Sequence, residues 1–268
     1  IEKSEAYFSQ VNYLAGIKHG VLTYGTRIGP SDYIGFHLFY LDSGPMEVTT
    51  ERYPDGTGED FHVISMAARA TYARSLTDRL KIGGSINYIR DKIAETGMQA
   101  VSYDIGSNFN TGIYGTILGM SITNFGPEVE YAGEDLSVQV PDTIDVEESL
   151  ERITNEFPLP LIFRLGIENE LVGPNSSFMK NDQHRLILSM DGIKPSDYIV
   201  FGSVGIEYGW QKLAFVRMGT HLGHDTAGLS AGLGLNVRLG KMALSVDFAF
   251  VDYDVLKNTN QLAIGLEF

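Results

Sequence analysis

The chain has no cysteine, one tryptophan and only nine prolines in 268 residues. Without thiols there is no disulfide framework, no thiolate metal site and no cysteine nucleophile. Positive charge is scarce as well: 20 Lys and Arg stand against 34 Asp and Glu, a net charge of −14 at pH 7. A nucleic-acid binder needs a basic patch to displace counterions, so no nucleic-acid partner is expected. No apolar run approaches the roughly 18 residues of a spanning helix. That excludes a helical membrane protein but leaves a barrel open, because barrel strands are apolar on one face only. Ile1-Glu2-Lys3-Ser4 carries neither the basic nor the apolar region of a secretory signal. The chain is expected to start after processing or to lack its beginning.

What is abundant is glycine (30 residues) and aromatic side chains (14 Tyr, 14 Phe), which point to an all-β chain. The clearest signal lies near the C-terminus. Leu229, Ala231, Leu233, Leu235, Val237 and Leu239 fall on one face of an extended segment, and Gly228, Ser230, Gly232, Gly234, Asn236 and Arg238 on the other. Met242, Leu244, Val246, Phe248 and Phe250 repeat the pattern, as do Leu262, Ile264, Leu266 and Phe268. Period-2 alternation marks a strand with one apolar and one polar face. Its length matches the about 9–11 residues that a tilted strand needs to cross a bilayer.

The same test along the chain predicts about fourteen strands: 4–10, 17–28, 31–42, 61–75, 79–91, 98–109, 115–124, 159–171, 183–192, 199–209, 212–221, 227–239, 241–252 and 260–268. Alternate connections are short (29–30, 76–78, 110–114, 209–212, 239–241, with 172–182 as the exception). The others are longer or more polar (43–60, 92–97, 125–158, 222–226, 253–259). This segregation predicts an antiparallel transmembrane β-barrel in a bacterial outer membrane, with short periplasmic turns and long external loops. Phe36, Tyr40, Tyr72, Tyr88, Phe248 and Phe250 are expected to face lipid as aromatic girdles.

Charge is concentrated in two of the long links. Loop 125–158 and its flank carry Glu128, Glu130, Glu134, Asp135, Asp142, Asp145, Glu147, Glu148, Glu151 and Glu156 against Arg152. Loop 43–60 carries five acids against Arg52. Part of 142–156 is predicted as a short helix capped by Asp142 or Thr143. The acidic loop reads either as a solvated surface or as a contact for a basic partner or for cations bridging it to lipid headgroups. Within the strands, Arg69, Lys81, Arg164, Arg185, Arg217 and Arg238 lie opposite the apolar faces, together with Asp104, Glu168, Asp191, Glu207 and Asp247. Buried charges need partners, so these are expected to form a ladder that holds the barrel shape or, alternatively, lines a path.

Catalytic and cofactor patterns are absent. His221, His224 and Asp225 lie close together without a third fixed ligand. Asp55, Glu59 and Asp60, in an acidic glycine-rich stretch, are a weak Ca²⁺ candidate that lacks EF-hand spacing. No nucleophile elbow and no phosphate loop occurs. Neither a cofactor nor an enzyme activity is expected.

Several motifs occur in collinear order: Tyr40-Leu-Asp-Ser-Gly44, Glu47-Val-Thr-Thr-Glu51, Asp55-Gly-Thr-Gly-Glu59, Tyr72-Ala-Arg-Ser-Leu-Thr-Asp-Arg79, Ile82-Gly-Gly with Asn87-Tyr-Ile, Asn124-Phe-Gly-Pro127, Phe157-Pro-Leu-Pro-Leu161 and Phe163-Arg-Leu-Gly166. In this set the chain resembles the PorV/PorQ family of outer-membrane proteins, distant relatives of FadL-type fatty-acid transporters. The resemblance implies a 14-stranded barrel, and Phe268 looks like the terminal aromatic read by barrel-assembly machinery. The resemblance also implies a glycine-rich N-terminal segment, which in FadL-type barrels folds into the lumen as a hatch and which is not among residues 1–268.

Three roles follow as expectations. The first is protein secretion or surface assembly of type IX kind through the external loops. The second is FadL-like transport of hydrophobic small molecules, which predicts an apolar pocket near the external end and a lateral gap in the wall. The third is a structural barrel that packs with copies of itself. Expected partners are outer-membrane lipid, with secretion-system or surface proteins or further copies of the chain.

Overall fold

The fold is a computed structural model that describes residues 4–133, 136–139, 149–151, 154–223 and 228–268. Fourteen strands form its wall: β1 Glu5–Asn12, β2 Lys18–Arg27, β3 Asp32–Asp42, β4 Val63–Ser75, β5 Leu80–Ile93, β6 Thr96–Asn110, β7 Ile117–Phe125, β8 Ile162–Val172, β9 His184–Pro195, β10 Phe201–Trp210, β11 Ala214–Leu222, β12 Leu229–Leu239, β13 Met242–Asp252 and β14 Asn258–Glu267. Each pairs antiparallel with its neighbours in sequence. The ring closes where β1 meets β14, from Glu5↔Glu267 to Asn12↔Asn260. Closure leaves no free sheet edge, the condition for a sheet to stand in hydrocarbon.

The faces are inverted relative to a water-soluble sandwich. The side chains most completely buried are Ser9 and Ser102, while Leu229 is 68% exposed and Leu233 59%. Along β12 the leucines point out, and Gly232 and Gly234 are buried on the inside. Phe36, Tyr40, Tyr72, Tyr88, Phe248 and Phe250 all stand on the outer surface. Burying apolar area contributes about 25 cal/mol per Å². A wall with this much exposed leucine, isoleucine and aromatic surface gains that energy from lipid. A strand of ten residues is about 33 Å long, enough when tilted to match an apolar band about 25 Å tall.

β1 begins and β14 ends at the rim that carries the tighter turns, called the turn end below; links 43–62 and 126–161 connect strands at the opposite, long-loop end. In the first of these, Met46–Glu47 pairs with Asp60–Phe61. Two expectations change. The link at 92–97, predicted as one of the longer or more polar set, is a two-residue turn, because β5 runs on to Ile93 and β6 starts at Thr96. Ala94 takes a φ of 50° to make it. Lys92, Glu95 and Thr96 look like loop chemistry in the sequence, but a ladder partner is enough to keep polar residues extended at a rim. Of the predicted helix within 142–156, residues 142–148 and 152–153 lie outside the described residues, and Ser149–Glu151 is a strand paired with Ser137–Gln139.

Candidate functional site

The inner face is built in tiers by register. Toward the turn end runs a belt of ion pairs. Arg185 Nε on β9 donates to Glu170 Oε2 on β8 at 3.1 Å, and its Nη1 lies 3.6 Å from Glu207 Oε1 on β10. Arg217 on β11 donates from Nε to Glu207 Oε2 at 2.7 Å and from Nη1 to Asp247 Oδ1 on β13 at 2.6 Å. The belt thus crosses β8 to β13 as acid, base, acid, base, acid. Across the barrel, Arg69 lies 3.1 Å from Asp104 Oδ2 and donates to Asn87 Oδ1 at 2.6 Å. Asn87 in turn donates to the buried Ser102 hydroxyl.

Above the belt several inner side chains of β9–β14 are small. Ser189, Gly205, Gly219, Ser230, Ala249 and Ala263 leave a cavity of about 640 Å³ bounded below by Glu207, Arg217 and Asp247. The charged belt therefore does not fill the interior at this level.

Nearer the long-loop end the lining turns apolar. Val21, Phe39, Ala67, Ile89 and Ala100 succeed one another in register across β2 to β6 on the inner face. Phe39 packs against His19 with ring centroids 5.8 Å apart, and Tyr13 bridges His19 to Tyr253. A smaller cavity of about 270 Å³ lies between Phe39, Ile89, Arg69, Asp91 and Asn124.

The wall is interrupted beside this lining. The β6–β7 register passes from Tyr103↔Phe125 to Ile105↔Ile122, so β7 carries one extra residue. Asn124 sits in that bulge at φ 63°. Its backbone N–H donates to Asp104 Oδ1 at 2.9 Å, and its Nδ2 donates to the Pro160 carbonyl at 3.0 Å. Asn tolerates this left-handed backbone better than any β-branched residue. Beyond the bulge the chain leaves the ladder. Among the described residues, Met98–Ser102 of β6 have ladder partners on β5 only, until Thr96–Gly97 meets Ala132–Gly133.

The departing segment folds onto the inner face instead. Val129 and Leu159 are buried with Met98 and Ala100, flanked by Ile89, Tyr131 and Phe157. Tyr131 stacks on Phe157 at 5.8 Å and donates from its hydroxyl to Asp91 Oδ2 at 3.4 Å. Burial first, and the Asp91 charge and hydrogen bond second, hold the Tyr131 phenol above the ordinary tyrosine range. A groove of about 750 Å³ remains between the β6 edge at Gln99 and Val101 and the segment at Pro127 and Glu128. It lies beside the apolar lining, at the long-loop end of the wall.

The residues predicted from sequence sort as follows. Arg69, Asp104, Arg185, Glu207, Arg217 and Asp247 are brought into ion pairs. Lys81, Arg164, Glu168, Asp191 and Arg238 share the inner face but make no ion pair among the described residues. Asp191 lies over Gly166, where a methyl group would overlap its Oδ1. Glu170 and Asp91 were missed, although both keep the inner-face parity, Glu170 with Glu168 and Asp91 with Asn87. Asp55, Glu59 and Asp60 are exposed, and no metal-competent group of three acids or histidines forms among the described residues. Of the acidic surface, Glu128 and Glu130 are exposed. Glu134, Asp135, Asp142, Asp145, Glu147 and Glu148 lie outside the described residues, as do His224 and Asp225. Glu151 belongs to the Ser149–Glu151 strand.

No family model matches the chain, and no curated protein does. Solved structures do. The Pseudomonas putida toluene transporter TodX is similar over 99% of this chain and 89% of its own, with 11% identity and a TM-score of 0.56. The Ralstonia pickettii toluene transporter TbuX gives 0.57 at 11% identity, over 99% and 88%. A Pseudomonas aeruginosa FadL homologue gives 0.55 at 9% identity, over 99% and 90%. The chain therefore shares the fold of FadL-like barrels. The likeness is one of fold and does not bear on membership of the PorV/PorQ family.

Proposed function

We propose that this barrel is an outer-membrane channel for small hydrophobic molecules, which it takes up at the long-loop end and releases sideways through its wall. The observation that carries this reading is the bulge at Asn124, which detaches the chain from β6 and leaves a groove next to an apolar inner lining. An apolar ligand gains little by crossing a charged belt, because displacing water from paired guanidinium and carboxylate groups is costly. A side exit above the belt returns it to hydrocarbon directly. The Val129–Leu159 cluster sits between lining and groove, where its displacement would open the route. The structurally similar proteins include a toluene transporter and a monoaromatic hydrocarbon channel, which supports this class of ligand. The secretion-type role has less support, since the similar structures named above are transporters of small molecules or a FadL homologue.

Deleting Asn124 removes the extra residue of the bulge and lets β7 stay on the β6 ladder. The expected result is a folded barrel that no longer admits a monoaromatic hydrocarbon to proteoliposomes. Uptake equal to that of the parent chain overturns the proposal.

A further inference from the structure

We propose that the outer wall carries a seat for an anionic glycerophospholipid at the turn end, made by Arg74 and the groove over Gly84. On the outer face Tyr72, Gly84 and Ile105 stand in one register row, and Arg74, Ile82 and Ser107 in the next. Gly84 and Ser107 are the small members of these rows. Their lack of bulk leaves an apolar groove of about 590 Å³ walled by Tyr72, Ile82, Ile105, Met120, Ile122 and Phe163. Its apolar walls suit an acyl chain, and it lies within the lipid-facing belt.

Arg74 also lines this groove, at the penultimate residue of β4, the level of the turn-end rim. Asp32 Oδ1 accepts from the Tyr72 hydroxyl at 2.5 Å and lies 3.6 Å from Arg74 Nε. Asp32 is the one carboxylate that Arg74 meets among the described residues, and the Arg74 side chain is 56% exposed. A guanidinium has five donors in a planar fork, so one edge can face Asp32 while the rest serves a phosphodiester.

Charge across the molecule favours an anionic lipid at this end. The connections at the turn end carry the bases Arg79, Lys180, Lys212 and Lys241 against Asp78 and Asp182. The connections at the long-loop end carry nineteen acids against three bases. An anionic headgroup is attracted to the first rim and repelled by the second.

The test uses the purified full barrel, delipidated in detergent and offered phosphatidylglycerol or phosphatidylcholine, with retained lipid read by native mass spectrometry. The parent chain is expected to retain phosphatidylglycerol several-fold over phosphatidylcholine, and excess inorganic phosphate should not displace it. Arg74→Gln removes the charge, and Gly84→Leu fills the groove. A Cβ at Gly84 meets nothing nearer than the Asp104 carbonyl at 3.6 Å, so the second variant keeps its wall. Each is expected to lose most of the retained phosphatidylglycerol while keeping the heat-modifiable gel migration of a folded barrel. Equal retention by parent and both folded variants overturns the seat, as does equal retention of the two lipids. Displacement by free phosphate overturns it too, in favour of a simple anion site.

Discussion

Arg217 Nη1 and Asp247 Oδ1 are 2.6 Å apart although their strands, β11 and β13, are not neighbours. Strand β12 lies between them, and it presents Gly232 opposite Arg217 and Gly234 opposite Asp247. A methyl group on Gly234 would overlap Asp247 Oδ1 and stand 3.1 Å from Arg217 Nη1. The bond exists because the intervening strand has no side chain at that point.

Gly234→Leu is therefore expected to part Arg217 from Asp247 without disturbing the outward leucines. A hydrogen bond to a charged group contributes about 1.5–3 kcal/mol, and both groups are partly solvated, so the loss is put at about 1–2 kcal/mol. Denaturant unfolding of the barrel in lipid vesicles measures it. Gly228→Leu, with the same parity but just before β12, is the control and should cost less.

Asp104 does two jobs at once: it pairs with Arg69 and accepts the Asn124 backbone N–H in the bulge. Asp104→Ala leaves a half-buried guanidinium and an orphaned N–H, and is expected to destabilise by about 2–4 kcal/mol. It should also raise amide hydrogen exchange at Asn124 and Phe125 more than at the β11–β12 ladder. Uniform exchange across the wall would show that Asp104 does not organise the bulge.

Tyr131 links the inserted segment to Asp91, and its phenol is held above the usual 10.0 by burial and then by Asp91. The neutral phenol is the form the docked segment favours. Its contribution is complete below the ordinary tyrosine range and is lost as pH rises through the raised value. An ultraviolet difference titration of the parent against Tyr131→Phe should show one late-ionising tyrosine. Asp91→Asn removes the second and third causes and leaves burial, so the phenol should ionise earlier but still above 10.0.

The two faces respond oppositely to charge. Leu233→Arg puts a cation into the apolar band, where the cost is about 2–4 kcal/mol near the midplane. Ser189→Arg faces the small-residue cavity, where water and the belt acids receive it, so stability should hold while ligand passage falls. Vesicle unfolding and uptake assays on the two variants separate the effects. Equal destabilisation would mean that the inner face is as dry as the outer.

How much of this was legible in the chain depends on the range of the physics. Leu229 to Leu239 shows its alternation to any reader, and the same test placed every wall strand within a few residues, because side chains alternate across a strand whatever its neighbours are. The glycines of β12 were legible as small inner residues, but not as the passage that lets Arg217 reach Asp247. That contact needs the register of three strands at once. Glu170 could have been found by continuing the parity from Glu168. Nothing local says that Arg185 chooses Glu170 and Glu207 while Asp191 lies over Gly166 without an ion pair.

The sequence by itself determined the number of strands, their apolar faces and the concentration of acid in the long links. These rest on period and composition, which neighbouring residues decide among themselves. Only the tertiary structure decided that β7 bulges at Asn124, that Val129 and Leu159 turn inward onto Met98 and Ala100, and that a groove is left in the wall. Those outcomes depend on how the closed ring staggers its strands, a long-range constraint that no single segment carries.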